Sequence, residues 1–327
     1  MPSLLLPDET HLRNLRQLTF GGENAEAYWS PDGRRLIFQH SEEGAPCDQE
    51  FVMDVETGQT RRVSTGLGRT TCGYFLDHGR RILYASTHLD SPECPPRPDL
   101  SQGYVWAMYP GYDLFVAPAE GGKPERLTDT PGYDAEATLS RDEKTIVFTS
   151  SRDGDLEIYT MKPDGKGVKR LTHEPGYDGG AFFSADGRRI VYRRDAPADP
   201  AALSRYQQLL ARGLYAPGAL EIWVMDRDGG HKHQVTRLGA ASFAPYFHPD
   251  GRRILFSSNH PEPKGRNFDI YMVDDNGEHL TRVTTDPSFD GFPMFSPNGK
   301  LLAFSSNRGG RARGETNVFL ADWVENP

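Results

Sequence analysis

The chain has 327 residues, 34 of them Gly and 25 Pro, and a net charge of −9 from 46 acidic and 37 basic residues. This length allows a substantial core, and acid spread along the chain argues against a nucleic-acid backbone partner, which would favour a basic face. No apolar run approaches the roughly 18–20 residues of a membrane span, so no membrane insertion is expected.

The N-terminal "MPSLLLPDET" lacks a basic n-region, and its apolar stretch is too short for a signal peptide. The expectation is therefore a cytoplasmic protein, or the mature form of a periplasmic or secreted one. Cys47, Cys72 and Cys94 show no C-x-x-C spacing, so no zinc site is indicated. They allow one bridge with a free thiol, or three free thiols, and a Cys47–Cys94 pairing stays open.

In chain order, "RNLRQLTF" (13–20) reads as a strand, followed by an inner strand "AEAYWS" and the turn "SPDGRRLIF" (30–38). That turn returns as "LDHGRRILY" (76–84), "SRDEKTIVF" (140–148), "SADGRRIVY" (184–192), "HPDGRRILF" (248–256) and "SPNGKLLAF" (296–304). Its turn residue (Gly33, Gly79, Glu143, Gly187, Gly251, Gly299) advances by 46, 64, 44, 64 and 48 positions. A basic period of about 45 with several strands per unit predicts a β-propeller. The two long intervals place insertions near 86–112 in blade two and 195–218 in blade four.

Each unit repeats one grammar. An Asp-Gly type turn joins the first two strands. A third strand follows ("LEIYTMK", "LEIWVMD", "FDIYMVD"), and a second turn leads to a fourth ("ERLT", "KRLT", "HQVT", "TRVT"). The sixth unit stops after its third strand, "NVFLADW", while 13–20 is a fourth strand without a unit of its own. The N-terminal strand should complete blade six and remove the open sheet edge. The expected fold is all-β: one six-bladed β-propeller domain over 1–327, with four-stranded antiparallel blades.

The string S-P-D-G-(R/K)-x-(I/L)-x-F-x-S, followed by an acidic residue and "IY" or "IW", resembles the TolB-like, PD40-type (WD40-like) six-bladed propeller family over essentially the whole chain. The resemblance implies the fold. For function it leaves a range, since such propellers occur in protein scaffolds, peptidase-associated modules and some lyases.

Six internal copies separate scaffold from candidates. Asp32, Asp142, Asp186 and Asp250 read as turn formers. Glu50, Asp113, Glu157, Glu221, Asp269 and Asn317, near each third strand's aromatic residue, read as a ring of hydrogen bonds to neighbouring blades. At the start of the inner strands stand Asn24, Thr70, Asp134, Asp178, Ser242 and Asp290. Two residues on, facing the same way by strand alternation, come Glu26, Cys72, Glu136, Gly180, Ala244 and Phe292. Asn24, Glu26, Asp134, Glu136, Asp178 and Asp290 should concentrate negative charge at the channel mouth. Such oxygen ligands suit Ca²⁺ or another divalent cation, with Asp134, Asp178 and Asp290 as metal ligands. A water-filled mouth lined by hydrogen-bonded carboxylates is the plainer reading.

The blade-two insertion offers Trp106, Met108, Tyr109 and Tyr112 as an aromatic surface. In blade four, Asp199, Pro200 and Gly213 frame a short helix with Leu203, Tyr206 and Leu210 on one side. The two insertions should form a bowl over Asp134 and Glu136. His40, His88 and His260 follow second strands, as surface groups or as a metal set. Arg193 and Arg194 replace the usual serine pair, to hold a ligand anion or to make blade-to-blade salt bridges. No P-loop, H-E-x-x-H, dinucleotide or G-x-S-x-G motif occurs, and no catalytic residue is assigned. The expected function is a non-catalytic, monomeric platform binding a protein, peptide or saccharide with Asn24, Glu26, Asp134, Glu136, Asp178, Asp290, His88, Trp106, Tyr109, Arg193 and Arg194. The alternative is a metal-dependent hydrolase or lyase at the same mouth.

Overall fold

The repeated turn closes a hairpin in every unit. In the first, Asp32 Oδ1 accepts from Ser30 Oγ (2.6 Å) and from the backbone N–H of Arg34 (3.1 Å). Asp142 and Asp186 repeat both bonds, and Asn298 substitutes in the sixth unit. The next residue must adopt positive φ, which Gly supplies without a Cβ penalty and Glu143 supplies at 54°.

The computed structural model describes residues 4–42, 45, 47–101, 103–325 and 327. After a first strand, β1 (Leu12–Gln17), blade one comprises β2 (Glu23–Trp29), β3 (Arg35–Ser41), β4 (Gln49–Asp54) and β5 (Thr60–Arg62). Blade two holds β6 (Thr70–Leu76), β7 (Arg81–Ser86), β9 (Asp113–Pro118) and β10 (Glu125–Arg126), with β8 (Trp106–Ala107) inside its insertion. Blade three is β11 (Asp134–Leu139), β12 (Ile146–Ser150), β13 (Glu157–Met161) and β14 (Lys169–Arg170). Blade four is β15 (Tyr177–Phe183), β16 (Arg189–Asp195), β18 (Glu221–Asp226) and β19 (His233–Gln234), and its insertion carries α1 (Pro200–Leu210) and β17 (Leu214–Tyr215). Blade five is β20 (Ser242–Phe247), β21 (Arg253–Ser258), β22 (Asp269–Asp274) and β23 (Thr281–Arg282). Blade six is β24 (Asp290–Phe295), β25 (Leu301–Ser306) and β26 (Asn317–Trp323), completed by β1.

The protein is thus a six-bladed β-propeller of four-stranded antiparallel blades, as the turn repeat predicts. Closure follows the expected route, with Leu12 opposite Trp323 and Gln17 opposite Phe319. Second and third strands are apolar on both faces because each blade is sandwiched between two others. Leu36, Ile37, Ile82, Leu83, Ile146 and Val147 are all fully buried, each such side chain contributing about 1.5–3 kcal/mol.

Closure has a polar lock. Arg308 is fully buried, and its guanidinium donates to Asp290 Oδ2 (2.6 Å) in β24 and to Glu9 Oε1 (2.9 Å) and Oε2 (3.0 Å) ahead of β1. It also donates to the Leu4 carbonyl (3.0 Å). The chain's N-terminal end is thereby fastened to blade six by a charge paired on both sides.

Two faces result. The inner hairpin turns and the turns between third and fourth strands lie on one. The other, the insertion face, carries the loops between second and third strands and the crossings to the next blade. Removing one member of a buried ion pair typically costs about 3–5 kcal/mol because its partners stay buried and unpaired. Arg308→Ala should therefore destabilise the propeller by about that amount, read as a lowered midpoint in urea, while Arg16→Ala on the exposed edge should have little effect.

Candidate functional site

Every inner strand breaks its ladder at the same point. The pairing shifts between Ala25 and Tyr28, Thr71 and Tyr74, Ala135 and Thr138, Gly179 and Phe182, Phe243 and Tyr246, and Gly291 and Met294. The residue in the bulge is Glu26, Cys72, Glu136, Gly180, Ala244 or Phe292, with φ from 50° to 59°. Left-handed backbone is costly for a side-chain-bearing residue, yet five of these six bear one. A bulge inserts one residue against the partner strand and re-aims the side chain. These six converge on the axis and, with Tyr28, Thr138, Phe182 and Arg193, line a cavity of about 30 Å³.

The bulge corrects the expected mouth. Strand alternation does not hold across it, so the residues two positions earlier do not line the channel beside Glu26 and Glu136. Asn24 is buried, donating to the Gly21 and Thr316 carbonyls (2.9 Å each) and bonding His40 Nδ1 (2.8 Å). Asp134 is paired with Arg152 (3.0 Å to each oxygen), Asp178 with Arg194 (2.9 and 2.7 Å), and Asp290 with Arg308. Burial pushes Asp290 up to about 6 against the pull of Arg308. The three aspartates expected to share a cation are each committed to a separate arginine. Among the described residues, no three His, Cys, Asp or Glu side chains stand close enough to hold one metal ion. The groups present do not fit a divalent cation.

Glu136 and Arg193 are the charged centre of the channel. Arg193, on β16 of blade four, crosses to blade three and ion-pairs with Glu136. The same carboxylate accepts from Thr149 Oγ1 (2.7 Å), Tyr177 Oη (2.8 Å) and the Gly180 N–H (3.0 Å). Two glycines make the crossing possible. A Cβ on Gly179 would collide with Glu136 and the Tyr177 hydroxyl, and one on Gly180 would collide with the Arg193 guanidinium. Above the pair, that guanidinium lies over Trp106 (5.1 Å) and Tyr177 (5.3 Å), and Tyr177 stacks on Tyr215 (4.6 Å).

Trp106 and Tyr215 come from the two insertions, which do not form an open bowl. They pair as β8 and β17, Trp106 opposite Tyr215 and Ala107 opposite Leu214. The expected helix is present as α1: Asp199 accepts from the Ala202 N–H (2.8 Å), and Tyr206 is buried with its hydroxyl on Asp155. The result is a lid against the Glu136–Arg193 pair. Tyr109 is spent inside its own insertion, donating to the Pro96 carbonyl (2.8 Å). Arg194 is held by Asp178, so neither arginine is free for a ligand anion; the salt-bridge reading applies, across blades for Arg193 and within its blade for Arg194.

The other half of the channel is electrostatically different. Burial, with Glu136 nearby, raises Glu26 above the ordinary carboxylate range, although Cys72 and Tyr28 bond it. The Cys72 thiol is pushed well above its usual value by burial and by the charges of Glu26 and Glu136. It remains a protonated thiol at neutral pH, a poor nucleophile.

The histidines share a scaffold role that their repeat position could have revealed. His40, His88 and His260 lie against Phe51 (5.1 Å), Phe115 (4.4 Å) and Tyr271 (5.9 Å). In the remaining blades Arg152, Arg194 and Arg308 lie over Tyr159 (5.1 Å), Trp223 (5.8 Å) and Phe304 (5.3 Å). The strings "ASTH", "TSSR", "SSNH" and "SSNR" mark four of these six positions. Burial lowers His88, which also bonds Ser86 Oγ (2.9 Å).

The third-strand acids bond chiefly within their own blades. Asp113, Glu157 and Asp269 take Arg126 (2.6 Å), Arg170 (2.7 Å) and Arg282 (2.6 Å) from the fourth strand. Glu221 accepts from Thr236 and from the Gly239 N–H (2.8 Å). Blade one's member is Gln49, not Glu50: it accepts from Ser64 Oγ (2.7 Å) and the Gly66 N–H (2.9 Å). Register confirms the offset, since Phe51 faces Phe38 as Phe115 faces Tyr84. Glu50 therefore occupies a core position.

Fold and channel define a propeller with a narrow, half-charged axis beneath a lid of two insertions. The family model of the TolB beta propeller domain matches residues 97–201 and 200–314, and the chain belongs to that family. The Tol-Pal system protein TolB of Bordetella pertussis is 28% identical over 137 residues, 42% of this chain and 26% of that protein. The match thus spans about a quarter of the relative's length. A putative TolB from Agrobacterium tumefaciens shares the fold with a TM-score of 0.60 at 18% identity, covering 93% of this chain and 91% of the other. Oligogalacturonate lyase in complex with manganese does so with a TM-score of 0.57 at 14% identity, covering 95% and 93%. At these identities the structural likeness is one of fold.

Two outcomes test the channel. Arg193→Ala should cost about 3–5 kcal/mol in urea unfolding, and replacing both partners (E136L with R193L) should cost less, because no charge is stranded. Cys72 should resist iodoacetamide at mildly alkaline pH in the native protein and react once urea is added, read by intact mass; rapid native labelling would show an accessible thiolate.

Proposed function

We propose that this propeller is a non-catalytic platform whose insertion face binds a protein partner. The observation that carries the reading is the distribution of exposed apolar side chains. Of the seven large ones among the described residues, Phe20, Leu67, Leu89, Leu100 and Tyr104 lie on the insertion face. They belong to the crossings into blades one and two and to the blade-two insertion. Val168 and Leu280 alone lie on the turn face. Apolar groups gathered on one face favour a protein surface over a saccharide. The similarity to a protein named for the Tol-Pal system points the same way.

A hydrolase or lyase at the channel mouth is less well supported. The expected metal ligands are held by arginines, the thiol is protonated, and the lid covers the Glu136–Arg193 pair. A periplasmic or extracellular location fits the Cys47–Cys94 disulfide, since such bonds persist in oxidising compartments.

A triple variant, L89D/L100D/Y104D, tests the platform. These side chains are exposed, so the thermal midpoint should stay within a degree or two of wild type. Tagged wild-type protein cross-linked in the cells that make it should retain a specific protein partner, identified by mass spectrometry, which the variant loses. Equal recovery of that partner by both proteins would remove this face as the binding surface.

A further inference from the structure

Blade one departs from the other five at one buried position. Where they place Leu114, Ile158, Ile222, Ile270 and Val318, it places Glu50. Glu50 is fully buried, and among the described residues no side chain hydrogen-bonds or ion-pairs with its carboxyl. Its carboxyl lies against Gly73 in β6 of blade two, so near that a Cβ there would overlap it. The equivalent residues, one past each bulge, are Ala27, Ala137, Ala181, Pro245 and Pro293. Gly73 is the single glycine at this position, and it sits where the one carboxyl at that aliphatic third-strand position needs room. The two departures are fitted to each other across the seam between blades one and two.

The groups facing Glu50 favour its acid form. From β2 comes Glu26 and from the segment ahead of β4 comes Asp48, the latter paired with Arg69 (2.8 Å). Tyr84 of β7 is close, and its hydroxyl is also buried without a partner among the described residues. The Gly73 backbone N–H favours the charge, but burial, Glu26 and Asp48 outweigh it and raise Glu50 well above the carboxylate range. The chain's disulfide crosses the same seam, from Cys47 just ahead of β4 to Cys94 in the blade-two insertion.

We propose that the seam between blades one and two is a proton-controlled joint: protonated Glu50 lets the blades pack as they do here, and its ionisation parts them while the Cys47–Cys94 bridge keeps them tethered. The direction with pH follows from linkage. The folded protein holds this proton over a range where the unfolded chain, with an ordinary value of 4.5, has released it. The stabilisation is complete below that value and is lost as pH rises toward the folded value.

The experiment compares wild type, Glu50→Gln and the double variant E50L/G73A in thermal unfolding at about pH 5 and about pH 8.5, with and without reductant. Wild type should lose several degrees more than E50Q on going to the higher pH, and reduction should widen that gap. Deuterium uptake over 49–54 and 70–76, corrected for intrinsic exchange, should rise with pH in wild type and not in E50Q. Coincident pH slopes for wild type and E50Q, or uptake that rises equally in all six blades, would overturn the proposal. Should E50L/G73A fail to fold, the near-isosteric E50Q still decides it.

Discussion

The centre of this propeller depends on a bulge made six times. Inner strands that ran straight would present alternate residues to the axis, and the aspartates at their starts would crowd it with charge. A left-handed residue in each strand instead delivers one side chain per blade to the channel. The aspartates in blades three, four and six turn into blade interiors, where Arg152, Arg194 and Arg308 meet them. The bulge thus determines both what lines the channel and what is removed from it. It also explains why a Glu, a Cys and a Phe tolerate positive φ: the surrounding blades over-determine the backbone, and the strain is offset by packing elsewhere.

Around that centre, buried charge is handled by one repeated arrangement. A His or Arg at the end of each second strand lies against an aromatic ring of its own blade, and where it is Arg it also carries an inner-strand aspartate. Ion pairs so enclosed contribute less to net stability than to specifying one packing, since each partner is expensive to leave alone. The Glu136–Arg193 pair extends the arrangement across blades, with Gly179 and Gly180 clearing its path and the paired insertions covering it. It is better described as a keystone between blades three and four than as a vacant ligand site.

Much of this was legible in the sequence. The turn "SPDGRRLIF" announces itself through Gly at positive φ and Asp as local acceptor, so blade number and N-terminal closure follow from spacing. The helix in the blade-four insertion follows from Asp199 and Pro200. The channel was legible only in part. Strand alternation puts Glu26 and Glu136 at it, but the bulge interrupts that alternation, and nothing in the strings "ENAEAYW" and "YDGGAFF" marks a bulge except in blade four, where Gly180 occupies it. Pairing of β8 with β17 is a contact between insertions about 100 residues apart in sequence, each strand two residues long, and carries no local pattern. The offset at Gln49 and Glu50 was hidden because an acid stands at the wrong one of two adjacent positions. The aromatic Phe51 was the safer reference, as its register with Phe38 shows.

A fold built from six copies gives its own standard of comparison, and the departures from it are not spread evenly. Glu50 replaces an aliphatic residue, Gly73 replaces Ala or Pro, and the free thiol Cys72 stands beside an under-compensated Glu26, all in blades one and two. The disulfide joins those same two blades, and of the five large apolar side chains exposed on the insertion face among the described residues, four (Leu67, Leu89, Leu100 and Tyr104) lie from their junction into the blade-two insertion. None of these is needed to close a ring that the other four blades help to close with aliphatic cores and paired ions. A buried carboxyl without a counter-charge lowers stability at neutral pH, and an exposed leucine adds none. Residues that break the local rule without a packing gain are where function is expected in an otherwise regular structure. By that argument blades one and two are the sector we propose to carry the function, while the aspartates of blades three, four and six are held by arginines as part of the architecture.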